Sequence, residues 1–213
     1  MTDGSSRVDN PFFARLWTVL SRHEPESLRK LRQENLAGLS GRVLEVGAGT
    51  GSNFVHYPTT VDEVVALEPE TRLNSIAQRT AATAPVPVTV LDRTVEELEP
   101  GAPFDAVVCS LVLCSVGDQE SVLRQLFSQL RPGGELRYLE HVASDGMRGR
   151  IQRIADATVW PRIAGNCHTH RDTESAIVNA GFVQRSARHD WTLPAWVPVP
   201  VSEHALGRAV RPA

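Results

Sequence analysis

No apolar run in this 213-residue chain approaches the roughly 20 residues that a membrane-crossing helix requires, so no integral membrane segment is expected. Cysteine is scarce: Cys109, Cys114 and Cys167 form no even framework and suit a reducing compartment. Residues Met1 to Asn10 lack the apolar core of a secretory signal. Neither sign of charge dominates, with 22 basic against 25 acidic side chains and a net charge of -3. Without a basic run there is no electrostatic reason to expect nucleic acid or an anionic membrane as partner. Internal repeats and low-complexity tracts are absent too. What remains is ordinary for a globular protein, 41% hydrophobic and 22% charged. A cytoplasmic protein acting on a small molecule is expected, its oligomeric state unspecified.

The pattern changes character along the chain. Residues 1–9 read as a loose tail. From Pro11 to Leu39 the apolar spacing is helical, with a break at Pro25. From Gly41 onward short apolar runs alternate with amphipathic stretches, which signals an α/β fold with a mainly parallel sheet. Strands are expected over Arg42–Val46, Glu63–Leu67, Val86–Leu91, Phe104–Cys109 and Glu135–His141. Helices are expected over Ser52–Tyr57, Glu70–Ala84 and Gln119–Leu130, the last stopped by Arg131-Pro132-Gly133-Gly134 as a tight turn into the fifth strand. Further helices fall near Gly149–Trp160 and Asp172–Ala180. Phe182–His189 and His204–Val210 then read as a terminal β-hairpin.

The chemistry starts at Glu45-Val46-Gly47-Ala48-Gly49-Thr50-Gly51, which follows a strand, the place where open α/β sheets bind ligands. Glycines let the backbone pass close to a ligand. Glu45 puts a carboxylate at the strand end, suited to a cationic amino group. About 20 residues on, Glu68 ends the second strand, with Pro69 beside it, at the distance where an acidic side chain meets ribose hydroxyls. The dinucleotide fingerprint G-x-G-x-x-G is not met, because the glycines are 47, 49 and 51 and position 52 is Ser. That spacing favours S-adenosylmethionine over NAD.

The run Arg42 to Gly51 resembles motif I of the class I S-adenosylmethionine-dependent methyltransferases. Glu68 matches that family's ribose ligand, and Arg131-Pro132-Gly133-Gly134 its turn before the fifth strand. The resemblance implies a Rossmann-like, seven-stranded, mainly parallel sheet with helices on both faces and an antiparallel terminal hairpin. It divides the chain into an N-terminal helical segment, 1–40, as a candidate lid, and a methyltransferase domain, 41–213. It also implies a cofactor site of Glu45, Gly47, Ala48, Gly49, Gly51, Asn53, Glu68 and Pro69. Adenine contacts then come from Asp92, Thr94 and Val95, and Ser110 and Leu111 pack along the cofactor.

A narrower resemblance follows. Val108 to Val116, Leu139-Glu140-His141-Val142, Asn53-Phe54 with Tyr57-Pro58, and Cys167 with Arg171 are similar to the methyltransferase-like thiol methyltransferases and their bacterial relatives. No counterpart of the eukaryotic members' hydrophobic N-terminal anchor is expected from this sequence. A small thiol is therefore the expected acceptor; an ordinary thiol, with a pKa of about 8.5, is already partly ionised near neutral pH. Quinone and phenolic O- or C-methyltransferases share the same motifs and stay open, as does a non-catalytic S-adenosylmethionine-binding protein.

On the acceptor side, His141 ends the fifth strand as the candidate base, against a purely structural role. Glu140 is expected to point to the opposite side. Cys114, Cys167, His168 and Arg171 are the candidate substrate residues. Arg171 has two readings, a hold on an acidic substrate group or a pairing with Asp172 or Glu174. No metal is expected, because no second ligand pair stands near Cys167-His168-Thr169-His170 at a recognised spacing. Cys109 reads as core. Phe12, Phe13, Leu16 and Trp17 form a candidate lid, a packed helix or a membrane-surface contact. Trp160, Trp191 and Trp196 are candidates to line an apolar pocket.

Overall fold

Asn10 and Pro11 start the first helix as physical chemistry requires: the Asn10 side chain accepts the Phe13 N–H at 3.0 Å, and Pro11 fills a position whose own N–H has no helical partner. This helix, α1 (Pro11–Arg22), gives way at Pro25 to α2 (Glu26–Leu36). The computed structural model describes residues 9–99, 101–192 and 199–213. After α2 the chain alternates: β1 (Gly41–Val46), β2 (Val61–Leu67), α3 (Thr71–Ala81), β3 (Val88–Leu91), β4 (Phe104–Ser110), α4 (Gln119–Gln129) and β5 (Leu130–His141). Then come α5 (Gly146–Asp156), a short α6 (Trp160–Ile163), α7 (Thr173–Asn179) and the hairpin β6 (Val183–Trp191) and β7 (Glu203–Val210).

The sheet runs β3-β2-β1-β4-β5-β7-β6, parallel except where β7 enters antiparallel between β5 and β6. Alternation along the central strands decides the layers. Val43, Ala106 and Val108 face a core with Leu36, Phe54 and Ala77. Leu44, Val107, Cys109, Leu136 and Tyr138 face the opposite core, built with Leu123, Leu126 and Ile177. The strand order reverses between β1 and β4, so their carboxyl ends open the crevice where ligands bind in such folds.

Two expectations about local structure are corrected. The helix expected over Ser52–Tyr57 contracts to one 3-10 turn, Phe54–His56. Pro58 drives Tyr57 into extended backbone, which ends the turn there. The Arg131–Gly134 turn lies inside β5 rather than before it. Leu130 already pairs with Phe104, and the ladder resumes after a shift at Glu135 opposite Ala106. Gly133 at φ +76° makes that bulge, and Arg211 pins it through Gly133 N–H and its own N–H to Gly134 O, both at 2.9 Å.

Candidate active site

Past β1 the backbone turns on Gly47, Gly49 and Gly51, at φ +64°, +58° and +80°. A Cβ at Gly47 would lie 2.4 Å from the Val112 side chain, and one at Gly49 would lie 2.7 Å from the Trp17 indole nitrogen. Conformation and space both demand glycine here. The Glu68 carboxylate clamps the turn: it accepts the Gly49 N–H at 2.7 Å and the Glu70 N–H at 2.9 Å. Burial nonetheless pushes its pKa up to about 7 against those two bonds, helped by neighbouring Glu70 and Asp92.

Glu45 sits on a second network. Its carboxylate accepts the Asn53 amide at 3.0 Å and the Tyr57 hydroxyl at 2.7 Å. Asn53 also donates to the Ser110 hydroxyl at 3.2 Å and accepts from buried Arg32 at 3.1 Å. Arg32 in turn pairs with Glu24 at 2.7 Å. Desolvation again dominates and raises Glu45 to about 7. Asn53 and Ser110, expected at the cofactor, are thus the bridge that ties α2 to the turn. Arg32 escaped the sequence reading because an arginine in an amphipathic helix carries no mark of burial.

These residues fit S-adenosylmethionine. Two buried carboxylates bear the desolvation cost of their charge, which a cationic amino group at Glu45 and ribose hydroxyls at Glu68 would offset. The glycine turn supplies the close backbone approach, flanked by buried Ala48 and half-buried Pro69. Toward the adenine side, Asp92 is exposed, Thr94 directs its N–H to Glu97 at 2.9 Å, and Val95 is drawn into the core. Leu111 stands at φ +61°, rare for a non-glycine residue, and its N–H bonds Leu139 O at 2.7 Å.

Beyond Leu111 the structure brings together residues that lie far apart in sequence. The Cys114 and Cys167 sulfurs are 3.6 Å apart, and each is 3.6 Å from His141 Nδ1. Cys167 is pulled well below the ordinary thiol range, first by the Cys114 thiol at its sulfur, then by His141 and Trp160; Cys114 is pushed up. Glu140, fully buried, reaches away from His141 beneath the loop and accepts Val112 and Leu113 N–H at 3.0 Å and Cys114 N–H at 3.3 Å. On the other side His168 N–H donates to Cys114 O at 2.8 Å. Arg171 donates to Leu113 O at 2.8 Å, the partner it takes in place of Asp172 or Glu174. Cys109 is core, as expected.

The α1 helix divides its apolar residues. Phe13 and Trp17 stack at 5.8 Å and turn inward, Trp17 over Gly49 and Phe13 over Gly165. Phe12 and Leu16 point outward. Trp160 is half-buried near Cys167, whereas Trp191 is largely exposed under the Arg148 guanidinium. Trp196 lies outside the described residues. Among the described residues no helix is long and apolar enough to cross a membrane.

Comparison with known proteins agrees with this geometry. Residues 20–186 match the methyltransferase domain family. Thiol S-methyltransferase TMT1B of Mus musculus is 33% identical over 94% of this chain and 85% of its own length. Thiol S-methyltransferase TMT1A of Homo sapiens is 32% identical with the same coverage. The N-methyltransferase NodS from Bradyrhizobium japonicum, solved with S-adenosyl-L-homocysteine, shares the fold at a TM-score of 0.64 and 17% identity, over 96% of this chain and 89% of that one. With the glycine turn and the sheet order, these matches place the chain in the methyltransferase domain family, as an S-adenosylmethionine-dependent enzyme that methylates a small-molecule nucleophile.

Proposed function

We propose that this enzyme methylates a small, apolar thiol in the cytoplasm, with residues 41–213 as the catalytic domain and residues 1–40 as its lid. The observation that carries the reading is the cluster of Cys114, His141 and Cys167 beside the loop that overhangs Gly47. The near full-length likeness to thiol S-methyltransferases points the same way. A net charge of -3 without a basic run supports a small molecule rather than nucleic acid as partner.

When bound, S-adenosylmethionine supplies a methyl group on a sulfonium that is its own leaving group. The protein's share is to orient, to exclude water and to handle one proton. On this reading Glu45 and Glu68 fix the cofactor's two polar ends, and Asn53 and Tyr57 hold Glu45 in place. Trp17 shields the glycine turn from solvent. The acceptor meets the face made by Cys114, His141 and Cys167, where its thiol proton is lost. Arg171 and Glu140 keep the loop of residues 112–114 rigid under that face.

The test is a panel of alkane thiols, catechols and quinones under saturating S-adenosylmethionine, with methylated product read by mass spectrometry. Turnover of thiols at least tenfold above the oxygen and carbon acceptors is expected. Preference for a catechol or quinone would overturn the acceptor assignment. Binding of S-adenosylhomocysteine without methylation of any acceptor would make the chain a binding protein.

A further inference from the structure

The triangle of Cys114 Sγ, Cys167 Sγ and His141 Nδ1 has the dimensions of a metal site. In a tetrahedral zinc centre, bonds of about 2.3 Å to sulfur and about 2.05 Å to nitrogen put two sulfurs about 3.8 Å apart and sulfur about 3.6 Å from nitrogen. All three edges here are 3.6 Å. The centre of that triangle is about 2.1 Å from each corner, too close for a zinc–sulfur bond. An ion would therefore stand about 1 Å out of the plane, which makes three-ligand pyramidal coordination and leaves a fourth vertex free. Among the described residues this is the group of three or more potential ligands whose donor atoms all lie within 4.8 Å of one another.

The surroundings are built as a metal site needs. The chain neighbours of two ligands brace the third: Glu140, next to His141, holds the Cys114 N–H, and His168, next to Cys167, donates to the Cys114 carbonyl. The buried Trp160 indole N–H borders the Cys167 sulfur, the acceptor it would keep in a charged metal thiolate. The donors are two soft sulfurs and one imidazole, which suits zinc and excludes magnesium or calcium. A disulfide is a poor alternative at this separation, since it needs sulfurs about 2.05 Å apart.

We propose that Cys114, Cys167 and His141 bind one zinc ion whose free fourth position receives the sulfur of the acceptor thiol. This rests on the thiol reading above, and it gives His141 a ligand's part in place of a base's. Binding the ion leaves both cysteines as thiolates, so the site carries zero net charge. An incoming thiol loses its proton to solvent and binds as a thiolate, which makes the site singly negative. In methyl transfer that sulfur uses one of its own electron pairs for the new carbon–sulfur bond, and the sulfonium carbon–sulfur pair returns to the cofactor sulfur. The thioether product is neutral and a weak ligand, so it departs and the site is neutral again.

The experiment is metal analysis of the full chain purified under reductant, followed by exchange with cobalt(II) and absorption spectroscopy. One zinc per chain is expected, with a thiolate-to-cobalt charge-transfer band and tetrahedral visible bands that shift when ethanethiol is added. Cys114→Ser, Cys167→Ser and His141→Gln should each lower zinc content at least tenfold while calorimetry still shows S-adenosylhomocysteine binding, which separates ligand loss from misfolding. Zinc below one ion per ten chains after reconstitution, with no cobalt–thiolate band, would overturn the site. So would a Cys114–Cys167 disulfide in metal-free protein that takes up no zinc after reduction. Zinc and cobalt signals that ignore ethanethiol would overturn the acceptor position alone. Failure of wild type to bind S-adenosylhomocysteine would count against the methyltransferase reading and leaves the metal measurement to be judged by itself.

Discussion

Glu140 holds Cys114 from below: its carboxylate accepts the Cys114 N–H at 3.3 Å while also taking the N–H groups of Val112 and Leu113. Three backbone donors aimed at one buried carboxylate make a rigid seat for the loop after β4. Burial raises the Glu140 pKa, opposed by those same donors. Glu140→Gln keeps the shape but turns an amide N–H toward a backbone N–H. Hydrogen bonds to a buried charge contribute about 1.5–3 kcal/mol, so we expect the variant to lose about 2 kcal/mol in urea unfolding. Turnover should fall more than cofactor affinity, because the loop carries Cys114 rather than the glycine turn. Unchanged stability and unchanged kcat would remove Glu140 from the positioning role.

Stability should depend on pH through Glu45 and Glu68. Both carboxyls rise from the ordinary 4.5 to about 7 on folding. Between those values the folded protein keeps protons that the unfolded chain has released. Their contribution is therefore fully present below pH 4.5 and is lost as pH rises through about 7. Tyr57, Asn53 and Arg32 face Glu45, while Glu70 and Asp92 face Glu68, and the opposing groups are already within the net shifts. Unfolding of wild type and of Glu45→Gln with Glu68→Gln at pH 4.5 and pH 8 isolates the effect from other titrating groups. We expect wild type to lose on the order of 3 kcal/mol per carboxyl, about 6 kcal/mol for the pair, relative to the double variant over that range. The opposite sign would show that both carboxylates stay ionised in the fold.

The lid reading makes a separate prediction at Trp17. Its indole occupies the space that a side chain at Gly49 would take, so it is a cover the turn was shaped to receive. Trp17→Ala should weaken S-adenosylhomocysteine binding about tenfold, or about 1.4 kcal/mol. Residues 11–22 should then be cut by protease whether or not ligand is present. Val19→Ser, on the exposed face of the same helix, should change neither. Equal affinity of the Trp17 variant and wild type would leave α1 as a packed helix only.

What the sequence disclosed was local. The glycine turn, the acidic residue about 20 positions on, and the alternation along β1, β4 and β5 are patterns within a short window, and each survives in the structure. The terminal hairpin was legible for the same reason. Cys114, His141 and Cys167 were each named on the acceptor side, but their mutual contact was not legible, because they are 26 to 53 residues apart. They meet only through the pairing of β4 with β5 and the return of the loop before α7. Arg32 and the burial of Glu140 escaped because charged side chains are usually solvated, and nothing around Arg32 marks an exception. A charge within the apolar run Tyr138-Leu139-Glu140 was the one available hint. Ser52–Tyr57 failed as a helix because Pro58 stops the chain after a single turn.

Gly207 is the place where sheet closure can be tested without touching either site. It pairs with Tyr138 across β5 and β7, and a Cβ there would fall 2.1 Å from the Tyr138 oxygen and 2.2 Å from its ring. The ring crosses the bare backbone so that its hydroxyl can reach Glu174 and Gln184, both at 3.2 Å. The glycine is required by space here, since its φ is not positive. A rigid aromatic side chain with no exposure cannot step aside, and overpacking of this kind costs about 1–3 kcal/mol. We expect Gly207→Ala to lower stability by about 3 kcal/mol, with Tyr138→Leu in the same chain recovering at least a third of that loss. A coupling energy near zero in that double-mutant cycle would mean that the hairpin shifts to admit the methyl group and that Tyr138 does not lock β7 in register.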